Sequence, residues 1–191
     1  MNHLGTKTLE TKRLILRPFA MGDDQAMFDN WSNDPRVTEF LRWQTHRDIN
    51  DSREILREWT EQYHKPDYYQ WAITLKDEGE APIGGIGTVE QSDALRMVHI
   101  GYCIGRRWWR RGITSEAFSA VIDFFLREVG VNRIESRHDP ENPNSGGVMK
   151  KCGLKYEGTH RQADLNNRGV CDVSVYAVLR EDFLPGGVAV G

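Results

Sequence analysis

Four arginines, Arg106, Arg107, Arg110 and Arg111, fall within the short stretch Gly105 to Gly112. The segments on either side have different periods. Val98 to Ile104 is apolar and ends in a β-branched residue, which predicts a strand. From Thr114 onward, Ala117, Phe118, Val121, Ile122, Phe125 and Leu126 recur at helical spacing. A strand that passes through a glycine-containing turn into a helix points unpaired main-chain N–H groups at one spot. The helix dipole adds to them, and the arginines add charge. The chemistry implied is the binding of a phosphate-bearing ligand. The same turn has a second reading, a nucleic-acid patch with Trp108 and Trp109 as stacking platforms. A net charge of −3 and the lack of another basic face weigh against it.

Other residues exclude other chemistry. The three cysteines, Cys103, Cys152 and Cys171, are an odd number without CxxC spacing, which reads as reduced thiols in a cytoplasmic protein. Histidines and cysteines are scattered, so no metal site is implied. Gly84-Gly85-Ile86-Gly87 lacks GxGxxG spacing and precedes no helix, so it is not a dinucleotide fingerprint; close backbone approach explains it better. Met1 to Thr11 has no apolar core of a signal peptide, and no apolar run approaches the ~18 residues of a membrane span.

The elements that must position the turn follow from period and punctuation. A chain of 191 residues fits one domain. Leu9 to Phe19 alternates as one strand closed by Pro18. Gly22 and Asp23 open a helix carrying Ala26, Met27 and Trp31, with Asp23 or Asp24 as cap. Asp34-Pro35 starts a short helix over Arg36 to Leu41, and a longer one runs from Asn50 to Tyr63. Tyr69–Leu75, Pro82–Gln91 and Arg96–Ile104 form an antiparallel meander. The helix Thr114–Glu128 ends at Gly130. A strand Arg133–His138 and a helix Asn142–Cys152 follow, with Gly153 as C-cap. Leu154–Gln162 and Val170–Leu179 close the chain around the turn Asn166 to Gly169. The domain is placed at residues 9–184, with 185–191 as a flexible tail.

This order meets a set of familiar residues. Gly101-Tyr102-Cys103-Ile104 matches a GY strand, and Trp109 to Ala117 (WRRGITSEA) matches a turn usually written WGKGYATEA. Asn142-Pro143-Asn144-Ser145, followed by Lys151-Cys152-Gly153-Leu154, matches an NxxS…KxGF helix. ETKRLILRPF and Trp31 to Pro35 match a first strand and the exit of a first helix. The chain resembles the GNAT superfamily of N-acetyltransferases, most closely the branch with the ribosomal-protein alanine N-acetyltransferases. The resemblance covers Thr11 to Phe183. It implies an α/β fold: one GNAT-type domain with a mixed, mostly antiparallel sheet and helices on both faces. There are departures. Arg110 stands where a small glycine is usual, and Thr114 where Gly or Ala is usual. Gly146-Gly147 lies inside a helix, where each glycine costs about 1 kcal/mol of propensity.

Acetyl transfer from a thioester to an amine needs a positioned thioester, a neutral amine, donors for the oxyanion and a proton for the leaving thiolate. By resemblance, the backbone at Cys103 and Ile104 bonds the pantetheine and the acetyl carbonyl of acetyl-CoA. The turn Trp109, Arg110, Arg111, Gly112, Ile113, Thr114 and Ser115 holds the diphosphate, and Asn142 the pantetheine arm. Ser145 is the first catalytic candidate, donating to the departing sulfur; its bland reading is a helix cap. His99 is the second, a proton acceptor where many relatives carry glutamate; its bland reading is a hydrogen-bonded core histidine. His138 and His160 stand on strands with no motif around them. Glu39, Trp43 and His46 are placed against the acceptor, with packed aromatics and solvated charges as the alternative. An acyl-enzyme at Cys103 has no adjacent support.

The reading is therefore an acetyl-CoA-dependent N-acetyltransferase acting by direct attack of a primary amine. A protein N-terminal α-amine is favoured, because it is easier to deprotonate than lysine by roughly 3.7 kcal/mol and needs a weaker base. The alternatives are a small-molecule amine, antibiotic or polyamine, as acceptor, or a non-catalytic CoA-binding regulator. The partners expected are the amine acceptor and neither nucleic acid nor membrane; a homodimer is open to it.

Overall fold

A computed structural model describes residues 1–183; the tail assigned to 185–191 lies outside them. The sheet has eight strands: β1 (Leu9–Glu10), β2 (Leu14–Pro18), β3 (Gln70–Leu75), β4 (Gly84–Ser92), β5 (Met97–Ile104), β6 (Arg133–His138), β7 (Lys155–Asn166) and β8 (Gly169–Leu179). Their spatial order is β1-β2-β3-β4-β5-β6-β8-β7. Every neighbouring pair is antiparallel except β5 and β6, which run parallel. The mixed, mostly antiparallel sheet expected from the sequence is present.

Side-chain alternation assigns the two faces. On β3, Trp71, Ile73 and Leu75 join the larger core with Leu14 and Leu16. The helix α4 follows α1 (Asp24–Met27), α2 (Pro35–Thr38) and α3 (Ile49–Gln62). It spans Ile113–Phe124 and buries Ala117, Phe118, Val121 and Ile122 in that core. Phe118, Val121 and Ile122 each contribute at most about 1.5–3 kcal/mol. Ala72 points the other way, into a smaller cluster with Phe19 just past β2 and with Met27, Trp31 and Leu56 from the first helices.

Three local expectations are corrected. Leu9–Phe19 is a two-strand hairpin, because Glu116 captures the Thr11 hydroxyl at 2.6 Å and the Arg13 main-chain N–H at 3.0 Å and bends the chain there. The first helix has no side-chain cap from Asp23 or Asp24. Instead a 3₁₀ turn (Met21–Asp23) starts it, and Asp23 reaches back to the Ala20 N–H while holding Arg17. The helices from Asp24 and from Ile113 both widen into π turns, over Phe28–Ser32 and Phe125–Val129. They close with i+5 bonds, Asn33 N–H to Phe28 O and Gly130 N–H to Phe125 O.

The paired glycines of α5 (Pro143–Lys151) have opposite meanings. A Cβ on Gly146 would lie 2.6 Å from His138 Nε2, so glycine lets α5 press against β6. Nothing lies within 4 Å of a Cβ on Gly147. Gly147→Ala should therefore stabilise the free protein by about 0.4–1 kcal/mol, and Gly146→Ala should destabilise it by about 1–3 kcal/mol. Urea midpoints that move together would refute this contrast.

Candidate active site

The arginine turn begins as a 3₁₀ turn (Arg106–Trp108) and enters α4 through Arg110 and Gly112, both in the left-handed region at φ 60° and 73°. The first helical bond is Glu116 N–H to Gly112 O at 3.1 Å, so the N–H groups of Ile113, Thr114 and Ser115 have no carbonyl to reach. Gly112 is the N-cap and has no side chain to fill them. Among the described residues no protein acceptor takes the N–H groups of Arg110, Arg111 or Gly112. The turn thus presents a run of free donors at a helix start.

Its charges are divided. Arg106 binds Asp34 at 2.7 Å, Arg111 reaches Glu78 at 3.5 Å, and Arg107 lies over the Trp108 ring. Arg110 lines the adjoining cavity, together with Lys151, whose Nζ hangs over Gly112. The left-handed backbone explains why glycine is usual at position 110: a residue with a Cβ costs roughly 1–2 kcal/mol there. Trp108 is buried and donates to Glu78 at 3.0 Å, which removes its ring as a stacking platform, whereas the Trp109 indole donates to Ile104 O at 2.9 Å and its ring stays 40 % exposed.

Beyond the turn the sheet opens. Strand β5 pairs with β6 only through Met97, Val98 and His99, while its pairing with β4 continues to Ile104. Along a strand the main-chain groups of successive residues face opposite neighbours. Gly105 N–H bonds Ile83 O on the β4 side, whereas Ile100 O accepts from Ser136 Oγ on the β6 side. By that alternation Tyr102 and Ile104 turn their backbone toward the opening, and Cys103 turns its own toward β4. The Ile104 carbonyl on that side is held by the Trp109 indole. Burial pushes the Cys103 thiol up to about 12, which argues against a thiolate nucleophile there.

The opening leads to a cavity of about 660 Å³ lined by Tyr102, Ile104, the turn residues, Asn142, Ser145 and Lys151. A second cavity of about 460 Å³ lies against the first helices, lined by Trp31, Trp43, His46, Trp59, His99 and His138. Tyr102, Cys103, Asn142 and Ser145 belong to both. At this junction Ser145 Oγ donates to the Tyr102 hydroxyl at 3.2 Å, and that hydroxyl donates to Ser145 O at 2.9 Å. Burial raises the Tyr102 phenol above its ordinary range and keeps it protonated, while the Ser145 hydroxyl opposes that shift. Tyr102 was visible only as part of the GY pair, and no role attached to it from sequence.

The remaining candidates separate. Trp43 and His46 line the second cavity, their rings 5.3 Å apart. Glu39 does not: it lines the first cavity and faces Arg168 at 3.7 Å. His99 is only 5 % exposed, and its Nδ1 has no hydrogen-bond partner among the described residues. Burial, helped by Arg137, lowers it to about 4. His138, which had no motif to mark it, also lines this cavity, with Nδ1 on Asp139 O at 2.8 Å and Nε2 unpartnered. His160 is exposed and lines neither cavity. No group of three potential ligands for a metal ion occurs among the described residues. No described helix is long and apolar enough to cross a membrane.

With this geometry in place, comparison with known proteins gives the class. The acetyltransferase (GNAT) domain family matches residues 13–155, and the chain belongs to that family. It is 31 % identical over 172 residues to an uncharacterized N-acetyltransferase, YoaA, of Bacillus subtilis, covering 90 % of this chain and 96 % of that one. It is 29 % identical over 105 residues to the ribosomal protein uS5-alanine N-acetyltransferase of Escherichia coli, covering 53 % and 54 %. The solved structure of RimL, a ribosomal L7/L12 α-N-protein acetyltransferase in complex with coenzyme A, superposes with TM-score 0.80 at 19 % identity over 91 % and 98 % of the two chains. The protein is an N-acetyltransferase, and acetyl-CoA is its cosubstrate. The free N–H groups at the start of α4 and the opened β5 edge suit a diphosphate and an extended amide-bearing arm.

Proposed function

We propose that the protein acetylates the α-amine of a protein or peptide N-terminus by direct transfer. The observation that carries this reading is the junction of the two cavities at Tyr102, Ser145 and Asn142. A thioester in the first cavity and an amine in the second meet beside a hydroxyl pair. Ser145 Oγ, placed by its hydrogen bond to the Tyr102 hydroxyl, turns its proton to the departing sulfur and regains one from solvent. The main chain of Arg110 to Ser115 takes the diphosphate, with Arg110 and Lys151 adding charge, and Asn142 orients the arm. His99, neutral at pH 7, accepts a proton from the amine as the new bond forms. So weak a base suits an α-amine, whose ordinary pKa of about 7.7 leaves a sizeable neutral fraction; lysine at about 10.4 does not. Three free thiols and acetyl-CoA as cosubstrate agree with a cytoplasmic setting.

One observation favours a small-molecule amine instead. Asn167 at the β7–β8 turn donates to Thr38 O at 2.9 Å and Trp43 O at 2.8 Å and accepts from Gln44 at 2.6 Å, which ties a roof over the second cavity. A single assay tests the α-amine. Thiol release from acetyl-CoA should rise with a free-N-terminus peptide and stay at background with the same peptide N-formylated but carrying a lysine. Equal rates with both would reject the α-amine.

A further inference from the structure

Resting on the assignment of the second cavity to the acceptor, we propose that this cavity selects an amine whose single positive charge sits on an apolar or aromatic body, and that polycationic amines are rejected. The charged residues on its wall are Arg42, Arg137, Asp139 and Asp164, two of each sign. The two carboxylates differ: Asp164 is paired with a cation, and Asp139 has only neutral donors. Asp139 accepts from Glu141 N–H at 2.8 Å and Asn166 Nδ2 at 2.9 Å. Asp164 holds Arg42 at 2.8 Å and accepts from Leu165 N–H at 2.7 Å. Glu135, behind the wall, is bonded to both Arg133 and Arg137. Burial keeps His46 and His99 below their ordinary value, so neither adds charge at neutral pH. Asp139 is thus the one wall carboxylate without a cationic partner among the described residues, which leaves an anion for one ammonium and none for a second, and desolvating an unpaired cation is costly.

The apolar part of the wall has a matching chemistry. Trp31, Trp43, Trp59 and Phe40 line the interior. Val89 on β4 and Leu165 on β7 also line it, yet are 50 % and 60 % exposed, so they mark its mouth. Large apolar side chains left in water at a cavity mouth are available to an apolar ligand. The roof tied by Asn167 fixes the Trp43 segment in place, so less ordering is lost on binding.

The test uses the full chain with acetyl-CoA and α-amines of matched basicity: glycine amide, leucine amide, phenylalanine amide and lysine amide, with spermidine as the extreme polycation. Phenylalanine and leucine amides should exceed glycine amide in kcat/KM by about 10–200-fold. Lysine amide should fall below leucine amide, and spermidine should stay at background. Leu165→Glu, at an exposed position, should narrow the gap between leucine and lysine amides. Parity of glycine and phenylalanine amides, or a preference for lysine amide or spermidine, overturns the proposal while leaving the transferase reading intact. Thermal stabilisation by acetyl-CoA without thiol release from any amine or peptide removes the transfer reading itself, and this proposal with it.

Discussion

Ser145→Ala should lower kcat by about 10²–10⁴-fold, the usual range for loss of a positioned acid, with acetyl-CoA affinity nearly unchanged. The lower end of that range corresponds to roughly 2.7 kcal/mol of barrier. The asymmetry follows from position. Affinity resides in main-chain donors ahead of α4, which the substitution does not touch. The proton resides at the cavity junction, where Ser145 Oγ and the Tyr102 hydroxyl are hydrogen-bonded to each other. Tyr102→Phe should also slow turnover, since it deletes the group that backs the serine. If Ser145→Ala leaves kcat intact while Tyr102→Phe abolishes it, the phenol is the acid and the serine merely its support. If both retain full turnover, proton delivery at this junction is wrong.

The second large effect is on stability against pH. His99 has a folded value of about 4, depressed mainly by burial and then by Arg137; Glu90 and Glu135 oppose this and Arg42 adds to it. Its unfolded value is about 6.5. Between those values the unfolded chain binds a proton that the folded protein refuses, so stability is present above pH 6.5 and is lost as pH falls toward 4. The loss from this one group is about 3 kcal/mol. His99→Gln should flatten that slope, measured as the unfolding free energy in urea at several pH values. A limb near neutrality belongs to the amine, near 7.7 for an α-amine, and should survive His99→Gln; the limb owned by His99 lies near pH 4. A titration midpoint close to 6.5 for the His99 ring would contradict both statements.

Most of the sheet could be read in advance because its signals are local. The alternation in Tyr69–Leu75 and the proline and glycine stops at Pro35, Gly130 and Gly153 need no knowledge of distant residues. The misreadings have distant causes. The break at Thr11–Arg13 is imposed by Glu116, and the π turn at Phe125–Val129 appears only in the hydrogen bonds. At the site, the turn and Ser145 were legible through their motifs. Tyr102 and His138 were not, because their importance lies in what they face: a serine 43 residues away for Tyr102, and the surface of α5 for His138. Glu39 is near Trp43 in sequence but lies on the other cavity, facing Arg168. Arg110 shows the reverse. Its departure from glycine was plain in sequence, but its left-handed backbone needed the structure.

The central claim is that free amides from Arg110 to Ser115 grip the diphosphate of the cosubstrate and so deliver its acyl end to Ser145. Titrating ¹⁵N-labelled protein with acetyl-CoA and following amide shifts tests it most directly. The largest shifts should fall on the amides of Arg110 to Ser115, with smaller ones at Ile104 and Ser145. Saturable shifts centred on other residues, with the 110–115 amides unmoved, would contradict the account.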